Sequence, residues 1–330
     1  MTESPRVGTP LNMPKHKPDH PVRQVSSEPR PPVRQAEPLS TSHRQPENSK
    51  PATVTIREPF SDALSAVRGK PGIHAGLYYL RGLTSHDASG DTHPYANFVN
   101  EVAKLPVPSA YAVAYKRWIG LLSTHPSAVE FTAKTQSSVA IGLGAMSPIE
   151  VGFTLHHTYG VPYLPGSALK GLARRSAVKF DLPDPDIEIL FGDDSESGST
   201  SAGYITFWDG WLIPSTQHPL QRDVITVHHP EYYTSGNTLL RSKDSPVPPI
   251  PPTDFDDPNP IPFLSIPQEA SFKIVLTCQA ESGEDDRARQ WAQTAATILQ
   301  YGLTTLGLGA KTNSGYGIFN VDPDLTKELK

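Results

Sequence analysis

Proline is distributed so unevenly that it restricts where this 330-residue chain can form regular structure. Ten prolines precede Pro51, and eight more lie within 246–262. Proline fixes φ and cannot donate a backbone hydrogen bond, so both stretches disfavour helices and central strands. Residues 1–52 also contain no aromatic residue and no periodic apolar face, which predicts a disordered proline-rich tail. The stretch at about 244–268 predicts a proline-rich loop insertion.

The remaining residues, 53–330, carry the helix and strand patterns of a single elaborated domain. Helical spacing of apolar residues comes first, at 95–103 and 111–122. The later patterns follow the order strand, helix, strand, strand, helix, strand, at 129–141, 168–179, 203–211, 271–279, 282–303 and 316–321. This order predicts an α+β fold with a ferredoxin-like (RRM-like) core at about 129–321, an N-terminal helical extension and long loop insertions.

Composition excludes several classes of protein. No apolar run reaches the roughly 18 residues that a membrane span needs, and the N-terminus lacks the apolar segment of a signal peptide. The single Cys278 excludes a disulfide framework and a cysteine-ligated zinc site. The formal net charge of −5 requires any nucleic-acid contact to come from local basic patches. We therefore expect a cytoplasmic protein without a membrane partner, a bound metal or a cofactor.

The segment at 307–317 contains four glycines and follows directly after a predicted helix. Glycine lets a backbone approach a ligand closely, exposed amides can surround phosphate oxygens, and Lys311 adds a positive charge. Tyr316 offers a ring on which a base can stack. A Walker loop needs glycine where Ala310 stands, a dinucleotide-binding turn needs glycine in place of Thr312, and both motifs open a helix rather than close one. A glycine-rich turn into an edge strand remains the alternative interpretation.

A second segment, at 158–175, combines a helix start with basic side chains. Pro165 and Gly166 predict a chain reversal, and the hydroxyl of Ser167 is predicted to cap the helix. Unpaired amides at 167–170 would then favour an anion, with Lys170 and Arg174 one turn apart on one face. Residues 181–196 carry seven acidic residues, so a solvated helix face paired with this acidic stretch is the alternative.

Histidines and acidic residues provide the main argument for catalysis or metal binding. His156 precedes His157 directly, and a second adjacent pair lies at 228–229. Adjacent residues on a strand point to opposite faces, so neither pair has the spacing of a metal site. Asp193-Asp194 and Asp209 could bind a divalent cation in principle, although acidic loop residues usually do not. These patterns favour ordinary structural or surface residues over a catalytic centre.

Two motifs in this order resemble the RAMP superfamily of CRISPR proteins. They are Gly160-Val-Pro-Tyr-Leu-Pro-Gly-Ser-Ala-Leu-Lys-Gly-Leu-Ala-Arg174 and Gly307-Leu-Gly-Ala-Lys-Thr-Asn-Ser-Gly-Tyr-Gly-Ile-Phe319. Further stretches at 139–152, 223–233 and 259–264 look most like the family of the sixth Cmr subunit, which belongs to the type III-B effector (RAMP module) complex. The resemblance spans about 73–321 and does not cover the tail.

The resemblance implies a non-catalytic RNA-binding backbone subunit that acts in antiviral defence against foreign RNA. Its implied partners are CRISPR RNA and the other Cmr subunits, with target RNA left open as a further partner. The implied RNA-binding residues lie in the two motifs: Ser167, Lys170, Arg174, Gly309, Lys311, Thr312, Gly315 and Tyr316. The alternative is a metal-independent endoribonuclease that processes CRISPR RNA, with His156 or His157 as the base. A phosphate-binding NTPase is a more distant option.

Overall fold

The computed structural model describes residues 72–83, 95–193, 201–229, 258–279 and 284–321, together with 62–63, 66, 253–254 and 256. These residues form helices and antiparallel sheets, in agreement with the predicted α+β class. The predicted tail at 1–52 lies outside the described residues. Most of the predicted insertion before Asn259 also lies outside them. None of the helices in the described part of the chain has both the length and the hydropathy of a membrane span.

Among the described residues, three helices with complete bounds precede the first strand. They are α1 (Ala75–Arg81), α2 (Ala96–Ala103) and α3 (Ser109–Leu122), and the last two lie where the apolar spacing predicts helices. α2 buries one apolar face, including Val99 and Val102, whereas α3 buries only Tyr111 and Leu122 fully. α3 therefore remains largely accessible on the surface of the described structure.

The main sheet is antiparallel and contains the strands β1 (Val129–Thr135), β2 (Tyr163–Leu164), β3 (Ile205–Phe207), β4 (Gly210–Leu212), β7 (Ser271–Cys278) and β8 (Phe319–Val321). Its order is β2-β4-β7-β1-β8, and β3 pairs with β7 beside β4. Burial alternates along β1 as predicted, because Val129, Phe131 and Ala133 are buried while Glu130 and Lys134 are exposed. The centre of the core therefore lies against β1 and β7.

In the described structure, two long helices and a short one form a helical layer beside this sheet. They are α4 (Gly166–Lys179), α5 (Asp184–Phe191) and α6 (Asp285–Tyr301). α4 packs against α6 and β3, while α6 packs against β7 and β1. Trp291, Ala295 and Ile298 form the buried face of α6, as their spacing predicts. A π-helix at Gly302–Leu306 follows α6 directly and also packs against α4.

The opposite face of the sheet is covered in part by α3. Trp211 lies between the buried residues Gly210 and Leu212 on β4, so its side chain points away from them. The ring of Trp118 on α3 stacks on Trp211 with 5.1 Å between ring centroids. The Tyr111 hydroxyl donates to the Leu212 carbonyl oxygen at 2.7 Å, which attaches the start of α3 to the same strand.

A separate antiparallel hairpin is formed by β5 (Gln221–Val227) and β6 (Asn259–Ser265). α2 packs against both of its strands. The prediction of an irregular loop over 244–268 is therefore wrong for β6, which contains Pro260 and Pro262. Both strands of a two-stranded sheet are edge strands, where a proline can lie with its nitrogen directed away from the partner. Alternate positions place both proline nitrogens on the same side of β6.

Three other sequence predictions require correction. The strand predicted at 129–141 ends at Thr135, and the strand predicted at 203–211 is divided into β3 and β4 around Trp208 and Asp209. The apolar residues of the helix predicted at 168–179 include Leu169 and Val178, whose shared burial the helix pattern predicts, but Val178 is 60% exposed. It lies nine residues after Leu169, which corresponds to the opposite side of a helix with 3.6 residues per turn.

Candidate nucleic-acid interface

The glycine-rich segment at 307–317 forms a tightly bonded turn between the π-helix and β8. Its backbone amides are largely used within the protein: Ala310 donates to Ala140, Ser314 and Tyr316 to Lys311, and Gly317 to Ser138. Leu308 and Gly317 also bond to each other, because the Leu308 amide donates to the Gly317 carbonyl at 2.8 Å. The segment therefore resembles an internally satisfied turn more than an open ring of phosphate-binding amides.

The glycines of this segment differ in what surrounds them. A Cβ at Gly309 would overlap the Ala140 carbonyl oxygen, and one at Gly317 would overlap the Leu308 carbonyl oxygen. Gly315 also has a positive φ of 86°, but no heavy atom lies within 4 Å of its Cβ position. Close backbone packing thus explains why glycine is needed at 309 and 317. Of these three glycines, only Gly315 has open space beside it.

Lys311 lies at the exposed turn of this segment. Its backbone adopts the left-handed conformation with φ of 61°, which directly precedes the short 3-10 turn Thr312–Ser314. The Lys311 and Thr312 side chains are half-buried, while 313–315 are exposed. A lysine at this position can offer a charge to a phosphate without any contribution from the surrounding amides.

Tyr316 connects the glycine-rich segment to the β5–β6 hairpin. Its hydroxyl donates to Oδ2 of Asp223 on β5 at 2.6 Å. Burial, followed by the hydrogen bond to Asp223, raises the pKa of Tyr316 to about 12. Ser138 also connects these two parts. Its hydroxyl accepts a hydrogen bond from Gln221 Nε2 on β5 at 2.8 Å, and its carbonyl oxygen accepts one from the Gly317 amide.

The start of α4 is also satisfied from within the protein. The Gly166 amide donates to Oδ1 of Asp209 at 2.7 Å, and the Ala168 and Leu169 amides donate to the Pro165 carbonyl oxygen. The prediction that the amides at 167–170 are unpaired is therefore wrong for Ala168 and Leu169. Pro165, rather than Ser167, is the N-cap residue, and its position makes no side-chain capping bond. Asp209 already supplies the negative charge that a helix N-terminus favours.

The basic residues of α4 have different environments. Arg174 donates from Nη1 to the Gly192 carbonyl oxygen at 2.9 Å, so its guanidinium is attached to the end of α5. Lys170 is half-buried, and Ser167 and Arg175 are exposed. Arg174 thus has a structural contact with a backbone carbonyl of the 181–196 stretch, and Lys170 is the stronger candidate for a phosphate contact.

The two predicted RNA-binding segments are connected through the π-helix. A Cβ on Gly302 would overlap Ser176 Oγ and come within 2.8 Å of Leu172 Cγ. This close approach involves the middle of α4, one to three turns after its start. The connection fixes the path that leads from α4 into the glycine-rich segment, five residues beyond Gly302.

His156, one of the two histidines proposed as a catalytic base, is engaged in structural contacts. The His156 ring packs against Tyr159, Tyr163 and Trp211, with centroid distances of 4.9, 5.8 and 5.1 Å. Burial lowers the pKa of His156, while the nearby Asp209 carboxylate opposes that shift. The Thr158 amide donates to His156 Nδ1 at 3.2 Å, so the hydrogen of the neutral ring is on Nε2.

In the second histidine pair, His229 contacts a residue on the other side of the β5–β6 hairpin. His229 follows β5, and its partner Asp256 precedes β6. His229 Nδ1 lies 2.8 Å from Asp256 Oδ2. Within the part of the chain that the structure describes, no group of three or more His, Cys, Asp or Glu side chains could hold a metal ion. Asp209, considered in the sequence as a cation ligand, instead bonds to the start of α4.

The structural roles of two residues important for this geometry were not predicted from sequence. Asp223 is separated from Tyr316 by 93 residues, and Asp209 from Gly166 by 43. Neither aspartate lies in a local pattern that indicates its partner.

Comparison with known proteins identifies the family. A family model described as the RAMP superfamily matches residues 132–320. The chain belongs to the RAMP superfamily. The resemblance stated from the two sequence motifs is thereby confirmed, and the matched range includes both α4 and the glycine-rich segment.

Individual relatives of this RAMP-superfamily chain come from CRISPR systems. It is 26% identical over 331 aligned positions to the CRISPR system Cmr subunit Cmr6 of Pyrococcus furiosus, covering 82% of this chain and 92% of that protein. A chain in the cryo-EM structure of the Type III-B Cmr-beta bound to cognate target RNA is 20% identical, with 80% and 86% coverage and a TM-score of 0.49. The crystal structure of Cmr6 from Pyrococcus furiosus is 25% identical, with 58% and 97% coverage and a TM-score of 0.33.

Proposed function

We propose that this protein is a non-catalytic RNA-binding backbone subunit of a type III-B CRISPR effector complex. In this role it binds CRISPR RNA and neighbouring Cmr subunits and takes part in cytoplasmic defence against foreign RNA. The observation that carries the proposal is the similarity to Cmr6, which extends over 92% of that subunit rather than over one motif. Membership of the RAMP superfamily supports the same assignment.

We also propose that residues 129–321 form a ferredoxin-like core, preceded by the helical extension α1–α3. The strand order β8-β1-β7-β3, with all pairs antiparallel, supports this proposal. In a β-α-β-β-α-β unit the first and third strands are central, and here these are β1 and β7. The connecting helices α4 and α6 pack against each other, as such a unit requires.

The proposed RNA contacts lie in α4 and in the glycine-rich segment. Lys170 and Lys311 are the central residues, because both are partly exposed lysines within the matched family region. Thr312, Gly315 and Tyr316 adjoin Lys311, and Ser167 adjoins the start of α4. Arg174 and Gly309 contribute through geometry, since the first is bonded to the end of α5 and the second packs on Ala140.

The geometry of His156 does not favour the alternative endoribonuclease. A general base that removes a 2′-hydroxyl proton needs a free lone pair on one ring nitrogen. The lone pair of His156 Nδ1 already accepts from the Thr158 amide, and the other nitrogen of the neutral ring carries a hydrogen. His157 is exposed, and its carbonyl oxygen is bonded to the His74 ring.

The proposed RNA site is tested by replacing Lys170 and Lys311 together with alanine. CRISPR RNA that co-purifies with the reconstituted complex is expected to decrease, while the thermal unfolding of the protein stays unchanged. Each lysine that neutralises a phosphate contributes about 0.7 to the slope of log affinity against log salt for single-stranded RNA. The double variant should therefore reduce that slope by about 1.4.

A matched control separates this effect from the loss of charge alone. Lys104 and Lys116 are exposed lysines outside both proposed segments. Lys104 lies at the C-terminal end of α2, and Lys116 lies within α3. Their double alanine variant has the same net charge as the test variant and should retain RNA normally. Equal losses in the two double variants would contradict the proposed site.

Ribonuclease activity requires a separate assay. The isolated protein is incubated with CRISPR repeat RNA in the presence of a chelator, and the products are resolved on a denaturing gel. Intact RNA is expected. Specific cleavage that disappears in the His156→Ala, His157→Ala variant would replace the binding proposal with the enzymatic one.

A further inference from the structure

The hydrogen bond between Tyr316 and Asp223 links the glycine-rich segment of the proposed RNA site to a strand that is far from it in sequence. Tyr316 belongs to the glycine-rich segment, and Asp223 belongs to β5 of the hairpin. At 2.6 Å, this O–H···O⁻ bond has the length of a charge-assisted hydrogen bond, which is stronger than a neutral one. The bond therefore holds the tyrosine ring in one orientation relative to the hairpin.

Backbone contacts bring the same two parts together around residues 138–140. Val139 exchanges two backbone hydrogen bonds with Ile266, directly after β6, at 3.0 and 2.9 Å. The adjacent Ala140 carbonyl oxygen accepts from the Ala310 amide at 2.8 Å. Residues 138–140 thus connect the hairpin to the glycine-rich segment through backbone bonds. The Tyr316–Asp223 bond connects the same two parts directly, through side chains.

The Asp223 carboxylate is held by groups other than Tyr316. The Val224 amide donates to Oδ1 at 2.8 Å, and the Ser265 hydroxyl lies 3.5 Å from Oδ2. Gln221 Nε2 donates to the hydroxyl groups of both Ser138 and Ser265, at 2.8 and 3.0 Å. A carboxylate fixed in this way can hold the side chain that donates to it in one orientation. Ligand binding then costs little further conformational entropy at these two side chains.

We propose that Asp223 is a positioning residue of the RNA site. It holds the Tyr316 ring at the junction of the glycine-rich segment and the hairpin, where the ring stacks on a base of single-stranded RNA. This inference rests on the proposed RNA-binding function and names a residue outside both sequence motifs. The charge of Asp223 opposes nearby phosphates, so its presence is explained by its hydrogen bond rather than by attraction to RNA.

Four variants of the 330-residue chain separate the hydrogen bond, the ring and the charge. Tyr316→Phe keeps the ring and removes the bond, Tyr316→Leu removes both, Asp223→Ala removes the acceptor, and Asp223→Asn keeps an acceptor without the charge. Asp254→Ala is the matched control, because Asp254 is an exposed aspartate on the segment that leads to β6. Affinity is measured by fluorescence anisotropy with a fluorescein-labelled single-stranded RNA of mixed sequence.

The expected pattern distinguishes positioning from simple stabilisation. Tyr316→Phe and Asp223→Ala should each weaken binding by about two- to tenfold, and their combination should be no weaker than either one. Asp223→Asn should recover most of the loss caused by Asp223→Ala. Tyr316→Leu should weaken binding by a further fivefold or more, roughly the smallest contribution of base stacking on an aromatic ring. Asp254→Ala should bind as the wild type does.

Hydrogen exchange provides a second measurement that does not involve RNA. In the free protein, loss of the bond should increase amide exchange at 221–227 in both Tyr316→Phe and Asp223→Ala. Faster exchange with unchanged RNA affinity would overturn the positioning role and leave only a structural contact. Tighter binding by Asp223→Ala, or equal affinities for Tyr316→Phe and Tyr316→Leu, would also overturn it. Each of these results is compatible with a loss of binding in the Lys170, Lys311 variant, so failure of the inference is distinguishable from failure of the proposed function.

Discussion

Replacing Gly315 or Gly317 with alanine tests whether the glycines of the 307–317 segment serve backbone geometry or access to RNA. Both residues have a positive φ, 86° and 82°, which is unfavourable for alanine. A left-handed conformation costs an L-residue about 1–2 kcal/mol. Because a Cβ at Gly315 meets no atom within 4 Å, this backbone term is the whole expected penalty there.

Gly317 has an additional penalty from packing. A Cβ at this position would overlap the Leu308 carbonyl oxygen and lie 2.9 Å from the Leu308 amide nitrogen. That amide donates to the Gly317 carbonyl, so relief of the overlap would also disturb a backbone hydrogen bond. Overpacking costs about 1–3 kcal/mol and a lost hydrogen bond about 0.5–1.5 kcal/mol. We therefore expect Gly317→Ala to destabilise the protein by about 2.5–6.5 kcal/mol, against about 1–2 kcal/mol for Gly315→Ala.

Urea denaturation followed by circular dichroism measures both free energies of unfolding, and RNA retention is then measured under conditions where each variant remains folded. If Gly315 provides access to RNA, Gly315→Ala should reduce retention more than its modest destabilisation explains. Equal destabilisation by the two substitutions would refute the packing argument. Normal retention by folded Gly315→Ala would show that access at this position is not required.

Three further predictions follow from individual contacts. Asp209→Ala should destabilise the protein by about 1–2 kcal/mol in thermal unfolding, because it removes the carboxylate that accepts from the Gly166 amide at the start of α4; an unchanged unfolding temperature would contradict this capping role. Burial raises the pKa of Cys278 to about 11, so a thiol reagent at pH 8 should react slowly with the folded protein and rapidly in denaturant, whereas equal rates would indicate an accessible thiol. Tyr316 has a folded-state pKa of about 12 against 10.0 when unperturbed, so its contribution to stability should be fully present below pH 10 and lost as the pH rises to about 12. Absorbance titration of the wild type and Tyr316→Phe checks the last prediction, and a difference spectrum that titrates near pH 10 would exclude it.

Local patterns predicted much of the fold because they follow directly from the geometry of helices and strands. The alternation of Val129, Phe131 and Ala133 corresponds to the buried side of β1, and the spacing of Trp291, Ala295 and Ile298 corresponds to the buried side of α6. A repeat of two or of 3.6 residues depends only on neighbours in the chain, so a single sequence contains it. The two RAMP motifs are likewise contiguous stretches, and their family assignment is confirmed.

Predictions that treated proline or a single polar residue as decisive were less successful. Pro260 and Pro262 were expected to prevent regular structure, but they lie in β6, where pairing with β5 needs donors from only one side of the strand. Ser167 was expected to cap α4, but Asp209 provides the carboxylate at this helix start. In both cases a residue distant in sequence changed the outcome that local propensity favoured.

The amino-acid sequence by itself predicted the α+β class, several of the helices and strands and the two family motifs, and it identified the lysines that we propose as RNA contacts. Only the tertiary structure decided that the amides of both motifs are largely bonded within the protein, that Arg174 is attached to Gly192, and that Tyr316 is held by Asp223. Secondary-structure patterns arise from contacts a few residues apart. Hydrogen bonds between residues 18, 43 or 93 positions apart depend instead on how the folded chain brings those residues together.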